Sequence, residues 1–310
     1  MFFIGRNPMG LNHLSQRQTA GFALLFGAVL ISTSSVWVKL ADLAPTVSGF
    51  YRMAIGGGLL IVICVMTGRS LWHSSAYAFK LFLAALFFAV DLWLWHRSIL
   101  FVGPGLATVL GNFQVFFMTL FGVVFLSERV GWRFLTGLGL AFLGLFLLVG
   151  VDWSNFDADY RTGVIYGLST ALAYTGFMLV MRQLQGMKST LSPMSNLGVM
   201  SLMCAAILAV VALFDGDSFV IHDNQTLLSM ISLGVFCQVL GWVIITRSMP
   251  LLATSLVGLI LLLQPALSML WDIVFFSRPT STLDIIGFVA VMAGIYVASV
   301  RRKKAIRMNS

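Results

Sequence analysis

An all-α integral membrane fold, with ten transmembrane helices forming two inverted five-helix repeats, follows from three features of the sequence. The first is composition. Of 310 residues, 59% are hydrophobic and 10% charged, whereas a soluble domain carries about 25% charged residues. A chain this apolar cannot cover itself with polar surface in water. The second is the length of its apolar runs, and the third is a register that relates the first half to the second.

A span needs about 20 predominantly apolar residues. Ten such runs occur, at 20–41, 46–67, 77–98, 104–126, 132–151, 162–182, 195–214, 226–248, 252–275 and 281–300. The first is too long for a signal peptide, and Lys39 interrupts the place of a cleavage site, so it is expected to be retained. The others are continuous and too long for membrane strands, which need only about ten alternating residues. The connections are short, and the longest polar stretches are Val151 to Arg161, Gln183 to Met194 and Asp215 to Gln225. No soluble domain fits between the spans.

Basic residues orient the spans. With the N-terminus in the cytoplasm, Arg6, Arg17, Arg69, Lys80, Arg129, Arg133, Arg182, Lys188 and Arg247 fall inside. So do Arg301, Arg302, Lys303, Lys304 and Arg307 of the last ten residues. Only Lys39, Arg97, Arg161 and Arg278 fall outside, with Arg52 left within a helix. The acidic loop residues Asp152, Asp157, Asp159, Asp215, Asp217 and Asp223 also fall outside. Short loops follow the positive-inside rule, so both termini are expected in the cytoplasm of a bacterial cell, the chain crossing its inner membrane many times. The net charge of +8 reflects this topology and contact with lipid headgroups; no nucleic-acid partner is expected. Cys64, Cys204 and Cys237 lie in apolar runs and read as small hydrophobes.

A shift of 150 residues places Arg97-Ser98 on Arg247-Ser248, Gln114 on Gln264, Phe125 on Phe275 and Ser127 on Ser277. Gly137 and Gly144 then fall on Gly287 and Gly294 without a gap. Each half holds five helices, an odd number, so the halves run oppositely through the membrane. The expected units are 20–151 and 162–300, with cytoplasmic tails 1–19 and 301–310. Inverted repeats are the architecture of many secondary transporters, whose site lies near the midplane between the halves.

The stretch Ala107 to Val130, which ends in Ser127-Glu128-Arg129 and leads into the Gly-rich run Thr136 to Gly150, resembles the fourth and fifth helices of EamA-type members of the drug/metabolite transporter superfamily. Lys39, Arg52 in Phe50-Tyr51-Arg52, and Gln264-Pro265 fit the same pattern; Val115 departs from it, standing where the repeat would place a second proline. The resemblance covers residues 20 to 300. It implies a ten-helix carrier, commonly an exporter, for amino acids, drugs or similar metabolites.

Polar groups inside the spans supply candidate site residues, because ionisable groups at membrane depth are costly and line cavities or meet partners. Asp91 and Arg52 lie at similar depth on neighbouring helices. Three readings stay open: a fixed ion pair, a proton or substrate site at Asp91, and an Asp91 that simply lines a wet vestibule. Helical spacing aligns Asp91 with Trp95 and Ser98, Asn112 with Thr108 and Thr119, and Gln238 with Trp242. It likewise aligns Gln264 with Ser268 and Trp271, Thr33 with Trp37, and Thr170 with Tyr174. The substrate-cavity candidates are therefore Trp37, Arg52, Asp91, Trp95, Asn112, Tyr174, Gln238, Trp242, Gln264 and Trp271. Gln114 points away from the Asn112 face of a straight helix. The bland readings are helix–helix hydrogen bonds for the polar residues and an interfacial aromatic belt for Trp37, Trp95 and Trp271.

His13, His73, His96 and His222 form no metal-ligand spacing, and no phosphate loop or catalytic serine motif occurs. No cofactor, metal or enzymatic activity is expected. The expected partners are a small-molecule substrate, membrane lipids and protons that drive transport, in a monomer or homodimer. The rival readings are a membrane-embedded transferase, which lacks a clustered catalytic set here, and a non-transporting membrane subunit, which lacks loops to dock on. Gly56, Gly57, Gly58, Gly137, Gly139 and Gly144 are the candidates for close helix approach.

Overall fold

A computed structural model of the chain describes residues 9–149, 158–187, 191–277 and 281–299. The sequence expectations for Asp152, Asp157, Lys188, Arg278 and the 301–310 tail lie outside the described residues.

Ten helical spans run through the bundle. They are α1 (Gln16–Leu40), α2 (Pro45–Met66), α3 (Ser75–Val102), α4 (Ala107–Leu126), α5 (Trp132–Val149), α6 (Ala158–Gly186), α7 (Pro193–Asp215), α8 (Asn224–Leu251), α9 (Thr254–Phe276) and α10 (Thr282–Ser299). Eight are long and apolar enough to cross a membrane; α5 and α10, at 18 residues each, are the shorter pair. Large apolar side chains such as Phe22, Met66, Phe125 and Phe214 point outward and exposed, as lipid-facing residues must. We call the side where α1 begins the near face and its opposite the far face.

Start signals are local. Pro45 and Pro193 open α2 and α7, where a missing N–H costs nothing. Ser74 and Asp223 cap α3 and α8 by accepting from the N–H groups of Tyr77 and Thr226. Helical hydrogen bonding runs on from Ser75 to Gly111, yet the chain turns between α3 and α4, as the sequence suggests. A straight helix would place Ser98 and Leu110 about 18 Å apart. Both nevertheless flank Gly167 of α6, so the chain reverses within that stretch.

The packing obeys the 150-residue exchange. α3 lies along α6, and their equivalents α8 and α1 lie together. α2–α7, α4–α9 and α5–α10 each pair with their own equivalent. An isologous two-fold requires that if one residue meets a second, their equivalents meet in exchanged roles. Gly137 indeed abuts the Gly294 carbonyl, and Gly144 the Gly287 carbonyl. A Cβ on either would sit 2.5 Å from that oxygen. Gly56 and Gly57 are also tight, against α8 and α7, but Gly58 and Gly139 have nothing within 4 Å and take no part in close approach. Among the described residues, the non-glycine residues with left-handed backbone are Ser127 and Ser277, again 150 apart, at φ 52° and 50°.

Candidate functional site

Four helices lose their regularity near mid-span, three by breaking and one by widening. In α1 the run Ser32-Thr33-Ser34-Ser35 turns side-chain hydroxyls back on the helix. Ser32 donates to the Val29 carbonyl (2.6 Å) and Thr33 to that of Leu30 (2.7 Å), and the helix breaks at Thr33. α4 breaks at Asn112–Phe113, where the Asn112 amide donates to the Thr108 carbonyl (2.7 Å). α9 breaks at Leu262, because Pro265 removes a helical donor and crowds the Leu261 carbonyl. α8 widens into a π-helix over Leu233–Gly241, centred on the residues that carry Gln238. Such bulges re-aim side chains and recur at functional sites.

These irregular segments surround a cavity of about 810 Å³ in the far half of the bundle. Its wall draws on both repeats. Ser32 and Lys39 come from α1, Ser48 and Arg52 from α2, Trp95 and His96 from α3, Thr108 and Asn112 from α4, and Gln264 and Ser268 from α9. Apolar contributions include Ile31, Leu92, Leu145, Leu233 and Met269. Of the ten candidates, Arg52, Trp95, Asn112 and Gln264 line this cavity.

The other six lie around it. Gln238 is fully buried and accepts from Arg52 Nε at 3.2 Å while donating to Ser201 Oγ at 2.9 Å. Asp91 is buried, its backbone carbonyl accepts from Thr170, and it forms no ion pair with Arg52. The fixed Arg52–Asp91 ion pair is thus not what this structure contains, although the two groups lie within electrostatic range. Tyr174 and Trp242 join Phe88 and Phe177 in an aromatic plug on the near side of the cavity. Phe88 stacks on Phe177 at 4.4 Å, and Trp242 meets Phe177 edge-on at 5.1 Å. Trp271 donates from Nε1 to Ser32 Oγ at 2.8 Å, tying α9 to the broken α1. Trp37 bonds Thr33 and stacks near Phe236, on the α8 side.

Sequence reasoning missed Lys39 and His96 as wall residues, because it placed one outside and the other at a helix end. Lys39 Nζ sits 4.2 Å over the Phe276 ring at the mouth. Ser98, aligned with Asp91 in the sequence, instead donates to the Gly163 carbonyl of α6. Gln114 is buried away from the cavity, as its helix position suggested.

The near face is tied shut. The Glu128 carboxylate, just past α4, accepts from Thr254 N (2.6 Å), Ser255 N (3.2 Å) and Ser255 Oγ (2.8 Å) at the start of α9. A carboxylate there satisfies orphan N–H groups and meets the positive end of the helix dipole. Burial pushes the Glu128 carboxyl up, but these hydrogen bonds outweigh it and hold it below the ordinary 4.5. Arg182 of α6 donates to the Met249 carbonyl at the end of α8, in the same layer.

The model of the EamA-like transporter family matches residues 18–150 and 161–300, nearly all of both repeats. The chain belongs to the EamA-like transporter family. It is 23% identical over 278 residues to an uncharacterized transporter of Archaeoglobus fulgidus, spanning 88% of this chain and 95% of that one. It is 25% identical over 215 residues to a probable amino-acid metabolite efflux pump of Escherichia coli K12, spanning 66% and 71%. A solved crystal structure shares the fold at a TM-score of 0.77 with 17% identity, covering 91% of this chain and 98% of the other. In this transporter of the drug/metabolite type, the matched segments coincide with the two halves that the glycine contacts relate.

Proposed function

We propose that this transporter exports small organic metabolites of the amino-acid class across the bacterial inner membrane by alternating access, with both termini in the cytoplasm. The observation that carries this reading is the cavity between the halves, which reaches exposed Lys39 at the far face, while the aromatic plug and the Glu128 contacts lie toward the near face. A one-sided cavity at the interface of inverted repeats is one of the two states such a carrier visits. The far face is the periplasmic one, because the cytoplasmic side takes the excess of Arg and Lys. Export and the amino-acid class are supported by the similarity to the Escherichia coli efflux pump. No step of the cycle needs an enzymatic reaction. Asp91, buried beside Arg52 without an ion pair, is the group that takes up the driving proton.

Proteoliposomes loaded with labelled amino acids test this reading. Efflux should follow an imposed pH gradient. Asp91→Asn should lower it about tenfold while the protein still reaches the membrane, and wild-type rates would remove Asp91 from the cycle. A C-terminal reporter fusion active in the periplasm would overturn the orientation.

A further inference from the structure

Among the described residues, the titratable ones on the cavity wall are Lys39, Arg52 and His96, all basic. Asp91 lies within electrostatic range of Arg52, but its side chain is neither on the wall nor in ion-pair contact. A guanidinium offers five N–H donors in a rigid fork. Arg52 uses Nε on Gln238, and among the described residues neither Nη has a hydrogen-bond partner.

That anchor is built in depth. Gln238 is held by Ser201 and sits on the π-helical turn of α8. Gly56, one turn along from Arg52, leaves the room it needs, since a Cβ there would lie 2.5 Å from Gln238 Cγ. Fixing Nε removes much of the arginine's rotational freedom and presents the Nη pair to the cavity already oriented. A partly buried guanidinium with an unused donor edge is costly unless an anion completes it. Gln264, from the other repeat, lines the same cavity, but its amide nitrogen is enclosed on the Tyr174 side.

We infer that the transported compound carries a carboxylate, gripped by the two Nη groups of Arg52, with an apolar body against Trp95, Leu145 and Met269. Planar two-point recognition of a carboxylate is what arginine supplies and lysine does not. A ligand held by α2 and α9 together also touches both repeats, so its binding bears on their relative motion. This inference rests on the transport reading for its cargo but concerns binding alone.

The test uses the full chain in lipid nanodiscs and three probes: 3-phenylpropionate, L-phenylalanine and L-phenylalaninamide. Binding is followed by calorimetry, and fold by thermal unfolding. The two carboxylates should bind roughly 10- to 100-fold more tightly than the amide, the worth of a hydrogen-bonded charge pair. Arg52→Gln should erase that difference, and Arg52→Lys should keep only part of it, both with monodisperse, cooperatively unfolding protein. Equal binding of acid and amide, no binding by any probe, or an acid preference that survives in Arg52→Gln overturns the inference. Arg52-dependent acid binding without efflux from proteoliposomes would uphold it and overturn the transport reading; efflux that ignores the carboxylate would do the reverse.

Discussion

α4 and α9 occupy equivalent places in the two repeats and break at equivalent residues, Asn112 and Leu262, 150 positions apart. The causes differ. In α9 Pro265 forbids a regular turn sterically. In α4 the equivalent residue is Val115, and an Asn112 side chain bonding back to Thr108 accompanies the break instead. α3 and α8 differ more. α3 is regular and carries Asp91, Trp95 and His96, while α8 is π-helical and carries Gln238 and Trp242. A symmetric backbone suits the alternating access proposed above, which needs two interchangeable halves, and asymmetric chemistry suits the proposed cargo, whose ends differ.

The symmetric contacts are the easiest to break. Gly144→Val and Gly294→Val each drive a side chain into a backbone carbonyl across the α5–α10 contact and should cost about 3 kcal/mol. Thermal unfolding in detergent checks this, and the two variants should lose similar amounts. Gly139→Ala, which meets nothing, should be neutral or gain up to about 1 kcal/mol from helix propensity. Unequal losses at 144 and 294 would mean that the two-fold does not extend to packing energy.

The breaks sharpen the comparison. Pro265→Ala removes the steric cause of the α9 break and should slow efflux several-fold by letting Gln264 shift. Asn112→Ala removes one side-chain hydrogen bond, worth about 1 kcal/mol, and should leave α4 broken. Equal effects would imply that both breaks are dictated by packing alone.

The near seal gives a smaller effect. Glu128→Gln removes a partly buried charge from the start of α9 and should weaken the sealed state by about 1 kcal/mol. Because the folded carboxyl lies below its ordinary value, its contribution is complete above about pH 4.5 and is lost only as pH falls through the lower folded value. The seal should therefore not titrate between about pH 5 and 8. Any pH dependence of transport in that window belongs to another group, and its persistence in Glu128→Gln checks this.

Much of this was legible in the sequence, for physical reasons. Apolar runs of about 20 residues have no other stable home than a membrane. The glycine pairs of the 150-residue register met as a two-fold requires, because a backbone contact tolerates no side chain on either partner. The cavity wall was legible where helices stay straight or break locally, as for Trp95, Asn112 and Gln264. The role of Gln238 was not, since Leu233–Gly241 contains no proline and hints at its π-helix only through Gly234 and Gly241. Trp242 and Tyr174 have the composition of cavity residues, but the α3–α6–α8 packing turns them into the plug. Glu128 could be read as part of a turn motif; its partners at Thr254 and Ser255 are too distant in sequence for any local pattern to show.

Alternating access predicts that the two faces open in opposition. Side-specific labelling with a membrane-impermeant maleimide measures this, on a background in which buried Cys64, Cys204 and Cys237 are replaced by alanine. Ser35→Cys reports the far cavity and Leu259→Cys, at a fully buried position, the near seal. With Glu128 intact, Ser35→Cys should label from the far face and Leu259→Cys should stay protected. With Glu128→Gln, Leu259→Cys should become reactive from the near face as labelling at Ser35→Cys falls. Labelling that rises at both faces together, or does not respond at either, would contradict alternating access across this cavity.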